Sequence, residues 1–580
     1  MSDTAPSAET PFLFDDSRRL TGPNRHFDRP AVVLSALGAA ADDADAHRCW
    51  AARVSAVCAV LRWPDPQPHV HRHASGFALA FAAPEDALFT ATEVNEWAWE
   101  RCAAGAGFAF AQPEMNDPAA VAATFAVRAE SERSRPLARL KAAALAHGLP
   151  CFDDDDTLSI GAGAGSVSYP HAALPLAMDV PWSRLRDLPT ILVTGSNGKT
   201  TTTRLLAAMA AAAGRRAGSC STEGVVVGEK LVASGDYAGP AGARAVLRHP
   251  GVEFAALETA RGGLLRRGLA VRRADAAVVT NVSADHFGEY GVHSLDDIAE
   301  VKLVVAHALR NGGCLILNAA DECLMRVAAR TPHAVAASQA LFAQNHEHPA
   351  LQARRGQGGS TCGARAGRLV LSADGVEHEL GAVGEMPLTM GGAARHNLDN
   401  IAAAVLAAQA AGLPLHAVRE TLSRFGSQPQ DNPGRLERWT HRGATVLIDY
   451  AHNPDGLGQL LQVAHTLKPQ RLGLLLGQAG NRDDDAIADL ARTAARAVPD
   501  LVVIKELPLM LRGRLLGEVP ALIERELRAG GVAQASIQHH ADEAAAAEWL
   551  LQWSRPGDVV VLPLHTAAVR ARVSAVLTVR

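Results

Sequence analysis

Between Pro189 and Arg204 the chain reads Pro-Thr-Ile-Leu-Val-Thr-Gly-Ser-Asn-Gly-Lys-Thr-Thr-Thr-Thr-Arg. The β-branched and apolar run Thr190 to Val193 predicts a strand, and Leu205 to Ala213 predicts a helix. Between them lie two glycines and a lysine followed directly by four threonines. Strand, glycine loop and helix start, in that order, make a cradle for a nucleoside triphosphate, because backbone N–H groups and the helix dipole both face the phosphates. Gly195 and Gly198 let the backbone turn inward, Lys199 reaches the β/γ-phosphates, and the hydroxyl of Thr200 or Thr201 suits Mg²⁺. Val193 stands where the longer G-x-x-x-x-G-K-[ST] pattern needs its first glycine, so the loop has the shorter G-x-x-G-K-T-T form. A turn that merely starts a helix would not need Lys and Thr in register behind a strand.

The rest of the chain is long enough to build domains around this loop: 580 residues suffice for three or four. Aromatics make up only 4% while alanine is abundant, which favours helices packed on sheets over an all-β fold. A 48% hydrophobic share with 20% charged residues is that of a soluble protein with large cores. A net charge of −5 gives no general attraction to nucleic acid or to an anionic membrane, so neither is expected as a partner. The eight cysteines are scattered from Cys49 to Cys362 without a C-x-x-C pair and read as reduced core residues. The N-terminus lacks the basic-then-apolar order of a signal peptide, and no run of about 18 apolar residues appears. A cytoplasmic protein is expected.

Residues 1–130 read as an α+β N-terminal domain without an obvious catalytic cluster. There His69, His71 and His73 alternate onto one face of a predicted strand. With no fourth ligand nearby, a solvent-facing strand edge is favoured over a metal or phosphate site. Thr92 to Ala103, carrying Trp97 and Trp99, predicts a packed helix. Residues 131–188 read as a connector with a helix from Pro136 to His147. The acidic quartet Asp153 to Asp156 is expected to be a solvated turn, and no Lys or Thr follows the glycine run Gly161 to Gly165 in register.

From 189 onward strands and helices alternate, the mark of a parallel α/β sheet. Phe254 to Glu258 and Ala276 to Val282 predict short strands that close on polar residues. Ligands gather at the carboxyl ends of such strands, so Glu258, Arg261, Asn281, Asp285 and His286 point toward the glycine loop. Asp296 to Arg310 predicts an amphipathic helix carrying Lys302, and His396 to Asn400 the cap of an alanine-rich helix ending near Ala411. Gln428 to Gly434, with two prolines, reads as a linker. Beyond it Thr445 to Tyr450, Leu472 to Leu476, Leu501 to Lys505 and Asp558 to Leu562 predict the strands of a second α/β domain. Lacking a glycine loop of its own, that domain should complete the first site or bind a second substrate.

Seven motifs, in order, make the stretch from about 189 to 580 resemble the central and C-terminal domains of the Mur ligase superfamily, which includes folylpolyglutamate synthase. They are the glycine loop, Leu257 to Arg266, Asn281 to His286, Gly434 to Glu437, Asp449 to Gly456, Gly480 to Asp483, and Leu511 to Arg514. The likeness is greatest to the Mur-ligase half of the cyanophycin synthetases, whose start Leu20 to Asn24 also resembles. This resemblance implies an ATP-binding central domain (189–428), a Rossmann-like C-terminal domain (429–580), and an amide-forming ligase that uses ATP and Mg²⁺.

It also implies roles. Gly195, Asn197, Gly198, Lys199, Thr200, Thr201 and Asn281 would cradle the phosphates, with Mg²⁺ on Thr200. Glu258 and His286 would hold a second Mg²⁺, and Lys302 aligns with a lysine carbamylated in many of these ligases. Asn397 and Asn400 would contact adenine, Arg435 the ATP phosphates, and Asp449 the ribose, with His452 beside it. Read alone, Lys302 is a solvated helix lysine and the two asparagines are helix caps. Arg261, Arg482, Arg512 and Arg514 are candidate substrate residues.

One departure narrows the expected reaction. Cyanophycin synthetases carry an ATP-grasp domain before the Mur-like part, whereas here Arg139 to Gly165 resembles only its opening, and some two dozen residues separate Gly165 from the glycine loop. One nucleotide site should run one ligation, and the resemblance points to a basic amino acid such as arginine joined to a side-chain carboxylate. Near 505–514 only Glu506 would greet a cationic amine, while Arg512 and Arg514 equally suit a carboxylate, so the amino acid stays open. A peptidoglycan- or folate-type ligase, or a non-catalytic nucleotide-binding subunit of a separate synthetase, are the alternatives. The N-terminal domain would recruit the acceptor or build a homo-oligomer.

Overall fold

The computed structural model describes residues 14–36, 42–103, 117–284 and 287–578. These form four sheets. The N-terminal one is antiparallel, in the order Phe14–Leu20, Ala31–Ala36, Gly76–Ala82, His69–His73. Helices Ala44–Val60, Leu88–Ala103 and Pro118–Glu132 share one core with it, in which Trp50 and Trp99 are fully buried. Truncating either indole would cost about 3–5 kcal/mol. The Trp50 indole N–H is satisfied by Asn95 Oδ1 at 2.8 Å.

Two expectations fail in this domain. Cys49 and Cys102 form a disulfide, because the first two helices lie side by side and bring the Cα atoms to 5.8 Å; a separation of 53 residues carries no such signal. The other six cysteines are free thiols. His69–His73 is indeed an edge strand, but His71 and His73 are half-buried rather than solvent-facing. His26 lies 5.6 Å from His69 and 5.7 Å from His71, centroid to centroid, and His73 stacks at 5.7 Å on His293 of the middle domain. Arg25 crosses the same boundary to Asp297 and to Glu300, the latter at 2.8 Å. Among the described residues no three His, Cys, Asp or Glu side chains are arranged to hold a metal.

The connector is the helix Arg135–Ala146 and a small antiparallel sheet, Cys151–Asp153, Thr157–Ile160 and Val167–Pro170. Its acidic turn is fastened rather than merely solvated. Asp153 pairs with Lys141 and His171, both at 2.8 Å, and Asp154 pairs with Arg248 of the middle domain. Gly163 adopts φ +53° where a Cβ would stand 2.1 Å from the Val252 carbonyl oxygen, so only glycine fits this seam.

The middle domain is built on an eleven-stranded mixed sheet. The loop strand Thr190–Thr194 is parallel to its two neighbours, Phe254–Glu258 and Ala274–Val279. Almost every residue of all three is buried, which is why they read as continuous apolar runs. The glycine-loop helix, Lys199–Ala212, starts at the lysine rather than at Leu205, so the four threonines form its first turns. Strand Ala274–Val279 stops three residues before the expected Val282, which frees 280–284 to cross the loop. The helix carrying Lys302 is only Leu295–Leu303; a 3₁₀ turn, Val304–Ala308, follows, and then a strand, Leu309–Asn318. Asn397 and Asn400 lie inside the helix Arg395–Ala410 and do not cap it.

The C-terminal sheet runs Glu437–His441, Ala444–Asp449, Val559–Pro563, Leu472–Leu476, Leu501–Lys505, Ile537–His540, parallel except for the first hairpin. The expected strands are there, and the two edge strands are additions. Fully buried Lys505 is neutralised by Glu543 at 2.6 Å. No helix among the described residues is long and apolar enough to cross a membrane.

Candidate active site

Gly195 and Gly198 turn the chain at the carboxyl end of the loop strand, with φ of +149° and +84°. A Cβ on Gly195 would meet Thr280 Oγ1 at 1.8 Å, and one on Gly198 would meet Asn400 Oδ1 at 2.0 Å. The loop is therefore clamped between the 280–284 segment and the Arg395–Ala410 helix. Asn281 completes the clamp: its Oδ1 accepts from the Asn197 N–H at 2.9 Å, and its Nδ2 donates to the Asn197 carbonyl at 3.2 Å. Lys199 Nζ donates to the carbonyls of Gly195 and Ser196, both at 3.0 Å, which folds the ammonium over the loop.

Parallel pairing sets Glu258 beside Val193, and so beside the loop. Its Oε2 accepts from the Thr200 hydroxyl at 2.8 Å, while Oε1 is buried without a hydrogen-bond partner. A carboxylate oxygen left open next to a hydroxyl, with only 1% of Glu258 exposed, is a hard-oxygen donor set that fits Mg²⁺. Lys302, itself 3% exposed rather than solvated, opens on the same cavity with Arg261, which pairs with Glu289 at 2.7 Å. His286 lies outside the described residues.

Beyond the linker, Arg435 donates to the Thr200 hydroxyl at 3.2 Å and to the Thr222 hydroxyl at 3.4 Å, with its guanidinium 4.6 Å over the Tyr450 ring. Asn432 donates to Thr201 Oγ1 at 3.2 Å. Asp449 accepts from the Leu436 N–H at 2.7 Å; burial raises its pKa, opposed by Arg435 and by backbone N–H groups. His452 Nδ1 sits 3.1 Å from the Tyr450 carbonyl. Asn197 makes a second bridge: it donates to Asp455 at 2.7 Å and accepts from Asn453 at 3.1 Å, at the start of helix Pro454–Thr466.

One continuous cavity of about 1830 Å³ unites these parts. It is lined by Gly195, Asn197 through Thr201, Glu258, Arg261, Asn281, Lys302, Asn397, Asn400, Arg435, Asp449, His452, Arg482 and Arg512. Asn397 donates to the Leu388 carbonyl and Asn400 donates to Asn397, both at 2.9 Å, so they hold one another where a cap was the alternative. Beside them, burial raises Asp399 to about 6 and lowers His396 to about 4.

Comparison with known proteins agrees with this geometry. Residues 193–408 match the Mur ligase middle domain, and residues 434–563 the Mur ligase, glutamate ligase domain. The core of this chain consists of the middle and C-terminal domains of the Mur ligase family. Over 375 residues, 65% of the chain, it is 35% identical to a cyanophycin synthetase of Crocosphaera subtropica; over 397 residues, 68% of the chain, it is 35% identical to that of Synechocystis sp.. The chain spans 42% and 44% of these relatives, less than half their length. Among solved structures, E. coli FolC in complex with ADP is 19% identical, with 67% of this chain and 89% of that one covered and a TM-score of 0.46. MurF from Acinetobacter baumannii is 18% identical, with 67% and 76% covered and the same TM-score.

Two expected residues do not belong to the Mur ligase cavity. Arg514 is absorbed by Asp484 at 2.7 Å, Glu518 at 2.6 Å and the carbonyls of Gly480 and Arg482, and it braces the loop that presents Arg512. Glu506 is spent on the backbone N–H groups of Leu507 and Gly517 and greets no amine. Other residues were not legible in advance. Thr222, Tyr450, Asn453 and Asp455 complete the contact between domains. Asp15, Asp16 and Arg19 of the N-terminal domain and Lys141 of the connector extend the cavity wall. For Tyr450, Asn453 and Asp455 the motif was visible but not the partner; for the N-terminal residues a single sequence carries no signal.

Proposed function

We propose that this Mur ligase core uses ATP to join an amino acid to a carboxylate of a peptide or amino acid. The observation that supports this most is the meeting of Lys199, Thr200 and Glu258 with Arg435, which arrives from another domain. A carboxylate does not condense with an amine at neutral pH until it is activated. One carboxylate oxygen attacks the γ-phosphorus of ATP, the bond to the β-phosphate oxygen breaks, and ADP leaves. The amine nitrogen then attacks the acyl carbon and loses a proton, and inorganic phosphate departs.

Charged oxygens crowd together in the first step, so catalysis consists of fixed cations and alignment. Lys199 moves from the loop carbonyls to the phosphates, and Arg435 meets them from the linker side. Thr200 and Glu258, with His286, would hold Mg²⁺, which when bound neutralises phosphate charge. Asp449 and His452 take the ribose end, and Asn397 and Asn400 the base. Arg261, Arg482 and Arg512 suit the carboxylates of acceptor and incoming amino acid. A carbamate on Lys302 would turn a buried cation into an anion on the wall of the cavity that Glu258 also lines. Likeness to cyanophycin synthetases supports an acceptor of that peptide type and a basic amino acid such as arginine.

The test is the purified chain with ATP, Mg²⁺ and a panel of amino acids and acceptor peptides. ADP and phosphate should appear only when both partners are present, with the amide seen by mass spectrometry. Lys199→Ala should abolish turnover without unfolding the protein. A requirement for a UDP-linked acceptor would point to a peptidoglycan-type reaction instead. A biological effect that survives Lys199→Ala would point to a nucleotide-binding subunit.

A further inference from the structure

The turn between strands Ala217–Ser221 and Gly224–Val227 carries Thr222 and Glu223, and both touch the C-terminal domain. The Glu223 carboxylate is shared between two arginines of different domains. Its Oε2 accepts from Arg204 of the glycine-loop helix at 2.9 Å, and its Oε1 accepts from Arg570 of the last helix, Ala567–Thr578, at 2.8 Å. The three side chains are largely shielded, with 9% of Arg570, 18% of Arg204 and 21% of Glu223 exposed.

Each arginine reaches further. Arg204 donates to Asn432 Oδ1 at 3.2 Å and to the Pro433 carbonyl at 2.7 Å, which ties the linker to the glycine-loop helix. Arg570 donates to the Leu564 carbonyl at 3.1 Å and lies 5.6 Å from the centre of the Tyr450 ring, which also carries Arg435. Gly434 keeps φ +68°, and a Cβ there would stand 2.9 Å from Arg570 Nε, so the linker itself is moulded on that guanidinium. The contacts run without a gap from Glu223 through Arg570, Tyr450 and Arg435 to Thr200. Without the carboxylate, Arg204 and Arg570 would face one another beside Arg435 with their charge uncompensated, and a shielded charge left without its partner is strongly destabilising.

We propose that Glu223 is a positioning residue: it latches the last helix to the glycine-loop helix and so keeps Arg435 on Thr200. Its effect on catalysis rests on the ligase reading above, whereas its effect on domain arrangement does not. The test therefore has two arms, applied to the full chain with Glu223→Gln, Arg570→Gln, the double variant and Glu223→Asp. In the first arm, small-angle scattering without substrates reads the separation of the middle and C-terminal domains. Either single variant should enlarge the particle, the double variant should enlarge it no further, and Glu223→Asp should restore part of the compact form. In the second arm kcat should fall about 10- to 100-fold with a smaller change in the KM for ATP, as expected when an arginine is displaced from the reacting phosphate. Circular dichroism checks folding, and should Glu223→Gln fail to fold, Arg570→Gln tests the same latch from the other domain. Unchanged scattering in both single variants, or enlargements that simply add in the double variant, would overturn the proposal. If the wild type ligates nothing, the scattering arm still decides it.

Discussion

The Thr200 hydroxyl donates to Glu258 Oε2 across 2.8 Å, while the other oxygen of the same carboxylate is buried and open. That asymmetry leaves Oε1 open to a cation, the role proposed for it above. Glu258→Gln replaces one oxygen with an amide nitrogen at nearly the same volume. It should leave the melting temperature unchanged, weaken Mg²⁺ dependence, and lower kcat/KM by about 10²–10³, the range for loss of one transition-state charge contact. Phosphate release against Mg²⁺ concentration is the measurement.

Gly198→Ala should act on the loop alone. The new methyl would collide with Asn400 Oδ1 at 2.0 Å in a backbone conformation of φ +84° that alanine avoids. Nucleotide affinity, read by calorimetric titration, should fall at least about tenfold, and Gly198→Ala combined with Asn400→Gly should recover part of it.

Acid should loosen the seam between the N-terminal and middle domains. His71 is lowered to about 4 by burial and by Arg25, against the pull of Asp297, with His69 and His73 as further neighbours. Buried His26 is held well below its ordinary value, facing Arg25, His71, His69 and Arg18; His73 is lowered by burial and faces His293, Arg25, Asp297 and Asp15. These imidazoles are neutral when folded and titrate near 6.5 when unfolded. The unfolded chain therefore binds more protons below 6.5, so the stability is complete above that pH and is lost as the pH falls toward 4. Melting temperature should drop between pH 7 and pH 5, and His71→Gln should flatten the drop.

Lys505 and Glu543 are almost wholly buried partners. Lys505→Met alone strands a buried carboxylate and should cost about 3–5 kcal/mol in urea denaturation. Lys505→Met with Glu543→Gln should cost less than the single change. A loss in the double variant equal to the sum of the losses of Lys505→Met and Glu543→Gln measured singly would show that the pair carries no mutual stabilisation.

Much of the middle and C-terminal domains was readable because buried parallel strands announce themselves as apolar runs: Phe254–Glu258 and Leu472–Leu476 fall where the residues put them. The loop was readable because its chemistry is local, with strand, glycines, lysine and threonine all within a dozen residues. The stretch after Asp296 was misread because apolar periodicity alone does not distinguish a helix from a helix, a 3₁₀ turn and a strand in succession. Contacts between segments were the hardest. Nothing near Cys49 names Cys102, nothing near His73 names His293, and Arg514 looks as available as Arg512 until Asp484 and Glu518 are seen beside it. Sequence motifs identify the chemistry a residue brings, and only the packed chain shows whether that chemistry is already spent.

Asn197 joins Asp455 and Asn453 across the linker, and Arg435 joins Thr200, so the roof over the nucleotide loop belongs to one domain and its floor to another. Neither domain surrounds the nucleotide loop by itself, so a swing about the linker would change the loop's surroundings at once. Under the ligation proposed above, each turnover would need the two domains seated together, so domain motion and bond making are coupled through the same few side chains.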